Sequence, residues 1–264
     1  MAVSKETLIR FTYRKLRFVE LDLLRGFAII GMVFLHILWD LDFFGILPLN
    51  RGIYQFQEIV PSIFFVLMGI CLVITVNRRN TVSPRVLSKH LLFRGLWILG
   101  LGMIISLVTL IFIPDRPIFF GVLHCIGLSV ILSIPLLRFK SYNIIFAAII
   151  ILAGIVIGFY PMENPTLAHL IVGIHQADVG KYTIDYFPLL PWFGVSLIGV
   201  ALGNWLYKDG KRRFAFPDLS RYKPVALFSW LGKHSLTIYL IHQPIIYGLL
   251  RYLPQWLPQL PQWL

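Results

Sequence analysis

The chain has 264 residues, of which 58% are hydrophobic and only 14% charged, with a formal net charge of +12 and a mean hydropathy of +0.78. That balance excludes an ordinary soluble globular domain and marks an integral membrane protein. The surplus of Lys and Arg does not read as a nucleic-acid surface, because it gathers in the segments between apolar runs, where it sets membrane topology.

In chain order, residues 1–19 mix Leu8, Ile9, Phe11, Tyr13, Leu16 and Phe18 with Lys5, Arg10, Arg14, Lys15 and Arg17. This composition predicts an amphipathic segment on the anionic cytoplasmic leaflet. Residues 20–252 read as one transmembrane domain. Apolar runs of about 20 residues, the length a bilayer-crossing helix requires, fall near 23–39, 59–76, 91–113, 118–137, 142–160, 186–206 and 225–250. The expected fold is therefore an all-α membrane protein, a polytopic bundle of about seven transmembrane helices. Barrel strands are disfavoured, since the runs do not alternate and are roughly twice too long. The first run has no small-residue cleavage pattern after it and is expected to remain as an anchor. Residues 253–264, LPQWLPQLPQWL, read as a Pro/Trp-rich interfacial tail.

Basic residues crowd the N-terminal segment and the loops 77–90 and 207–224, whereas the alternate loops hold only Arg51, Arg116, Lys181 and Arg251. The positive-inside rule then predicts a cytoplasmic N-terminus and an outer C-terminus. Cys71 and Cys125 lie within apolar runs and give no disulfide or metal signal.

The first span, ELDLLRGFAIIGMVFLHILWDLD, keeps Asp22, Arg25, His36 and Asp40. At 100° per residue, Arg25 lies about 20° from His36 on one side, and Asp22 and Asp40 about 40° on the other. All four share one stripe, with about 16 Å along the axis between Arg25 and His36. Charged groups within a span cost roughly 2.5–3.5 kcal/mol each at its centre, so they turn inward and mark function. An Asp22–Arg25 pair also has a purely orienting reading at the interface. Asp40, one turn after His36, is expected to orient the imidazole as a general base. His124 and His242 fall at a depth similar to that of His36 on other helices, which predicts a shared polar cavity. Ser235, Tyr239 and His242 form a second stripe on the last span, followed by Gln243 and a helix-bending Pro244. The outer loops 40–58 and 161–185 are long enough to recognise an acceptor, with Glu58 and Asp185 as candidates. Together His36, Asp40, His124 and His242 are the candidate catalytic set, and Glu58, Asp185, Tyr239 and Gln243 the candidate substrate contacts.

Arg25-x10-His36, with Asp22 before it, resembles the first-helix motif of acyltransferase-3-type membrane enzymes. The longer runs VELDLLRGFAIIGMVFLH, GVLHCIGLSVIL, DYFPLLPWFGVSLIGVALG and GKHSLTIYLIHQPI resemble the family of the heparan-α-glucosaminide N-acetyltransferase catalytic domain. The resemblance implies an acyl-CoA-dependent O- or N-acyltransferase. It would take acetyl-CoA as co-substrate from the cytoplasm, acylate a carbohydrate or other envelope acceptor at the outer side, and need no metal. It also implies a catalytic role for His36, either as base or as acyl carrier. Arg25, with Asp22, matches the motif, and His242 matches the closing histidine. For the several phosphates of CoA, Arg78, Arg79, Arg94, Arg212 and Arg213 are the suitable cytoplasmic residues, because a guanidinium offers a planar fork.

A proton-coupled transporter using the same histidines and carboxylates as a relay is the alternative, although no internal repeat accompanies them. A scaffold explains the histidines least, since neutral Ser, Thr or Asn would hold helices together at lower cost. The expected partners are the bilayer, acyl-CoA and the acceptor, without nucleic acid, and a homo-oligomer is left open. Short loops and the lack of a targeting extension point to a prokaryotic cytoplasmic (inner) membrane.

Overall fold

A computed structural model describes residues 17–49, 51–54, 57–79, 81–219 and 221–252. The expected interfacial segment 1–19 falls almost wholly outside these residues, and the tail 253–264 does so entirely. The described residues form ten α-helices: α1 (Val19–Phe43), α2 (Arg51–Tyr54), α3 (Ile59–Arg78), α4 (Pro84–Phe112), α5 (Val122–Leu136), α6 (Asn143–Gly158), α7 (Leu167–Val172), α8 (Leu189–Leu206), α9 (Lys223–Lys233) and α10 (Ser235–Tyr252). Among the described residues the one β-bridge is isolated, Phe120 to Tyr186. Five stretches are long and apolar enough to cross a membrane: α1, α3, α4, Val122–Gly158 and α8. Broad faces on these helices also remain uncovered by protein. On α4, Phe93, Trp97 and Phe112 are 69%, 67% and 72% exposed, and Ile144, Ile149 and Leu152 stand out from α6. Water does not tolerate apolar patches of that extent, whereas lipid does. The chain is an integral membrane protein.

The stretch Val122–Gly158 contains the two helices expected near 118–137 and 142–160. Leu137–Tyr142 forms a 3-10 turn between them in which Lys140 leaves the helical region at φ 48°, ψ −124°. Asn143 Nδ2 closes that turn by donating to the carbonyls of Leu136 and Lys140 at 2.9 and 2.8 Å. The last expected helix, near 225–250, is divided at His234 into α9 and α10.

The chain forms two compact units, residues 1–63 with 217–264 and residues 64–216. In the first unit, α1 opens with Glu20 and Asp22 in its first turn, where a carboxylate complements the positive helix end. It stops just before Gly45, whose φ of +69° suits a glycine. Asp22 and Asp40 are buried while Leu24, Phe27, Ile30, Phe34 and Ile37 stand exposed, so the polar stripe faces protein and the opposite face is apolar. Helix α9 meets α1 at backbone distance, since a Cβ on Gly26 would strike the Phe228 carbonyl and one on Gly232 the Asp22 carbonyl. The Phe27 and Phe228 rings lie 4.2 Å apart beside this crossing.

The pairings along α1 reveal a change of sense. Phe228 meets Gly26 and Gly232 meets Asp22, so numbering on α9 rises as it falls on α1. His242 meets His36, Gln243 meets Asp40 and Tyr247 meets Phe44, so α10 and α1 rise together. The chain therefore turns at His234, and α10 alone accompanies α1 towards its C-terminal end.

The second unit packs α3 on α8, α4 on α5, and α6 on α8 through glycines. Gly69 faces the Ser196 carbonyl, Gly199 the Val66 carbonyl, Gly127 the Leu99 amide, and Gly194 the Ala147 carbonyl. In a membrane, where apolar transfer does not drive helix association, such close approach supplies the dispersion contact that does. Ala147, Phe193, Leu197 and Val200 form one core cluster with Val73, and Met68, Leu72, Leu91 and Val130 form another.

Candidate functional site

The polar stripe of α1 meets α10 at two histidines. The His36 and His242 rings lie 4.7 Å apart at 58°, and the Trp39 ring stands edge-on to His36 at 5.4 Å. His242 Nδ1 donates to the Tyr239 carbonyl at 2.6 Å. A carbonyl only accepts, so the proton is on Nδ1 and, in the neutral ring, Nε2 keeps its lone pair. His242 Nε2 is buried and has no hydrogen-bond partner among the described residues. The Tyr239 ring lies 5.6 Å from the same imidazole.

Asp40 is buried, and both its oxygens accept from Gln243 Nε2 at 3.0 Å. The carboxylate thus orients an amide on α10, and the expected Asp40–His36 couple is replaced by an Asp40–Gln243 clamp between helices. Because a carboxylate only accepts, it fixes the amide's orientation and leaves Gln243 Oε1 as a buried acceptor without a partner. Near the other end of α1, Asp22 and Arg25 form an ion pair of 2.9 Å, with the Arg25 side chain 24% exposed. Arg25 therefore reaches its neighbour on the same helix, about 16 Å along the axis from His36.

His124 belongs to the second unit, and its ring is used on both sides. Its Nδ1 accepts from the Gly121 amide at 3.2 Å and its Nε2 lies 3.3 Å from Ser106 Oγ. Nδ1 as acceptor requires the proton on Nε2, which then donates to Ser106, whose own hydroxyl donates to the Ile118 carbonyl at 2.5 Å. This relay ties α4 to the segment that opens α5, and Gly102 leaves room for the imidazole.

Asp185 lies in the same unit, outside the five apolar stretches. Its Oδ2 accepts from the Val122 amide at 3.1 Å, capping α5 from a distant part of the chain. Burial pushes its carboxyl up to about 6, against the opposing pull of the Val122 N–H. Burial also raises the Tyr186 phenol, whose hydroxyl donates to the Leu170 carbonyl at 2.8 Å. Glu58 is exposed immediately before α3, and its carbonyl accepts from Ser62 Oγ at 2.6 Å.

Of the arginines singled out for an anionic ligand, Arg78 and Arg79 end or follow α3, beside the segment after α8. Asn77 Nδ2 donates to the Tyr207 carbonyl at 3.1 Å, and Gly210, at φ +72°, passes over the Arg78 side chain. The Arg213 amide donates to the Leu206 carbonyl at 2.9 Å, and Arg212 lies 5.4 Å over the Phe216 ring. Arg94 lies inside α4. Sequence reasoning passed over Trp39, whose buried Nε1 has no partner among the described residues; a tryptophan near a helix end otherwise reads as an interfacial anchor. Among the described residues no group of His, Cys, Asp and Glu is arranged to hold a metal.

No curated protein and no solved structure matches the chain. The family model of the heparan-alpha-glucosaminide N-acetyltransferase catalytic domain does match, over residues 17–244. That span includes α1 with its stripe, His124, Asp185 and the first part of α10 with His242, and the chain belongs to this family.

Proposed function

We propose that the protein is a membrane acyltransferase that moves an acetyl group from cytoplasmic acetyl-CoA to a hydroxyl or amine of a sugar or other envelope acceptor at the outer side. Family membership supports the acetyl donor. The observation that carries the chemistry is the His36–His242 pair, in which hydrogen bonding to Tyr239 leaves His242 Nε2 as a buried base without a partner. The acceptor's proton passes to this nitrogen as its heteroatom attacks the thioester carbon, and the departing CoA sulfur takes a proton back. His36, ring against ring with the base, faces the reacting carbonyl. Gln243 Oε1 and Tyr239 orient the acceptor, and the Asp40–Gln243 clamp keeps α10 in register with α1.

Arg25, held by Asp22, is proposed as a donor contact at the cytoplasmic end of α1. Arg78, Arg79, Arg94, Arg212 and Arg213 are proposed as phosphate contacts on the chemistry of the guanidinium fork and on cytoplasmic placement. Glu58 and Asp185 are proposed acceptor contacts of the outer side, and His124 supports the fold of the second unit, to which Asp185 belongs. The proposed topology keeps seven crossings, made by α1, α3, α4, α5, α6, α8 and α10, with the N-terminus cytoplasmic and the C-terminus outside. Helix α10, at about 27 Å by helical rise, is the last crossing in place of the continuous run 225–250. The proposed location is a prokaryotic cytoplasmic membrane.

Calorimetric titration of the detergent-solubilised protein with acetyl-CoA tests this reading. Saturable binding weakened by Arg25→Ala is expected, as is His36→Ala that binds the donor and releases no CoA. Absence of binding by a folded protein overturns the reading.

A further inference from the structure

Three buried polar atoms at the α1–α10 contact have no hydrogen-bond partner among the described residues: His242 Nε2, Gln243 Oε1 and Trp39 Nε1. The first two are acceptors, by the assignments that Tyr239 and Asp40 impose. The indole nitrogen is the one donor of the three, and its N–H cannot rotate away or reverse its role. Leaving such a donor buried and unsatisfied forfeits its hydration with no hydrogen bond in return. An anchoring tryptophan presents its N–H to lipid headgroups, but this nitrogen is closed off within the protein, on a ring set edge-on to His36 at 5.4 Å.

We infer that Trp39 is a further catalytic residue, whose indole N–H receives the oxyanion formed when the acyl carbonyl is attacked. The inference rests on the acyltransferase reading and adds to it the group that stabilises developing negative charge. Attack by the acceptor oxygen or nitrogen forms a bond to the thioester carbon, and the carbonyl electron pair moves onto oxygen. The displaced proton goes to His242 Nε2. Trp39 holds the oxyanion until the carbonyl re-forms, the carbon–sulfur bond breaks, and the proton on the imidazolium passes to the CoA thiolate. Acetyl-CoA and acceptor become acetylated acceptor and CoA, without any other reactant. On α10 the nitrogen donors of this contact are already occupied, His242 Nδ1 by the Tyr239 carbonyl and Gln243 Nε2 by Asp40, whereas the buried indole N–H on α1 has no partner among the described residues. A donor aimed at an oxyanion in a water-poor site contributes far more than it would in water.

The test uses the full chain in detergent, acetyl-CoA as donor, and glucosamine and glucose as amine and hydroxyl probes, with CoA release as the readout. Trp39→Phe keeps an aromatic ring beside His36 and removes the N–H. It is expected to lower kcat by about 10²–10³-fold, to leave KM for acetyl-CoA within about twofold, and to preserve calorimetric donor binding. Trp39→His, which restores an N–H on a smaller ring, is expected to recover part of the lost kcat. CoA release by folded W39F at the wild-type rate overturns the role of Trp39 alone. So does a loss that W39H does not mend and that parallels lost donor binding or a lowered Tm. A wild-type protein that binds no acetyl-CoA, or releases no CoA with either probe, overturns the acyltransferase reading and this inference with it.

Discussion

His242 in the first unit and His124 in the second are both buried imidazoles on apolar helices, yet their hydrogen bonding leaves them fit for opposite tasks. His124 spends one nitrogen on the Gly121 amide and the other on Ser106. His242 spends only Nδ1, on the Tyr239 carbonyl, and keeps Nε2 buried without a partner. A ring with both nitrogens engaged stabilises structure at little cost, whereas a ring left half-satisfied costs stability that a ligand can return. Neither burial nor residue type separates the two, and the bond inventory does.

The comparison can be broken or refined by five measurements. The largest effect is expected from His242→Ala, which should reduce CoA release by about 10²–10⁴-fold, the range for loss of a general base, while thermal unfolding in detergent stays near that of the wild type. A normal rate in this variant would erase the distinction. His124→Ala should show the converse, with turnover per folded molecule within about twofold and a stability loss of about 1–3 kcal/mol as the Gly121 amide loses its acceptor. The same thermal melts should register Gly69→Ala as a loss of about 1–3 kcal/mol, because its Cβ would enter the Ser196 carbonyl. Gly26→Ala should lower stability similarly by forcing α9 off α1 at Phe228, and if the α1 crossing positions the histidine pair it should lower CoA release as well, which Gly69→Ala should not.

The smallest effect concerns Asp185. Its folded carboxyl titrates at about 6, above the ordinary value of 3.8, so between about pH 4 and 6 the folded state binds more protons than the unfolded one. Its contribution is full below about pH 4 and is lost as pH rises through about 6. Asp185→Asn retains an acceptor for the Val122 amide and should flatten that part of the stability profile. An unchanged profile would assign the pH response to other groups.

Much of this architecture was legible in the residues because it depends on local periodicity. Asp22, Arg25, His36 and Asp40 fall on one stripe by helical geometry alone, and α1 buries the two carboxylates while exposing Phe27, Phe34 and Ile37. The break between α5 and α6 was also legible, since basic residues interrupt the apolar run where Lys140 leaves the helix. The division at His234 was not. Lys233, His234 and Ser235 do interrupt the run 225–250, but hydropathy carries no record of whether the helix turns there or of which neighbour each half meets. Gly26 and Gly232 would have hinted at close packing, but not that α9 opposes α1 while α10 follows it. The partner of Asp40 was misjudged for a similar reason. One-turn spacing on a helix makes His36 a neighbour of Asp40, whereas side-chain direction and the approach of α10 give the carboxylate to Gln243.

By itself the sequence determined a membrane-embedded helical protein of this family and the presence of a polar stripe in its first helix, because lipid burial and helical period act residue by residue. Only the tertiary structure decided which histidine keeps a free nitrogen, which amide holds Asp40 and which indole N–H is left without a partner. Those outcomes depend on hydrogen bonds between groups far apart in the chain, as Asp40 and Gln243 are, and on local geometry within α10 that its apolar pattern does not encode.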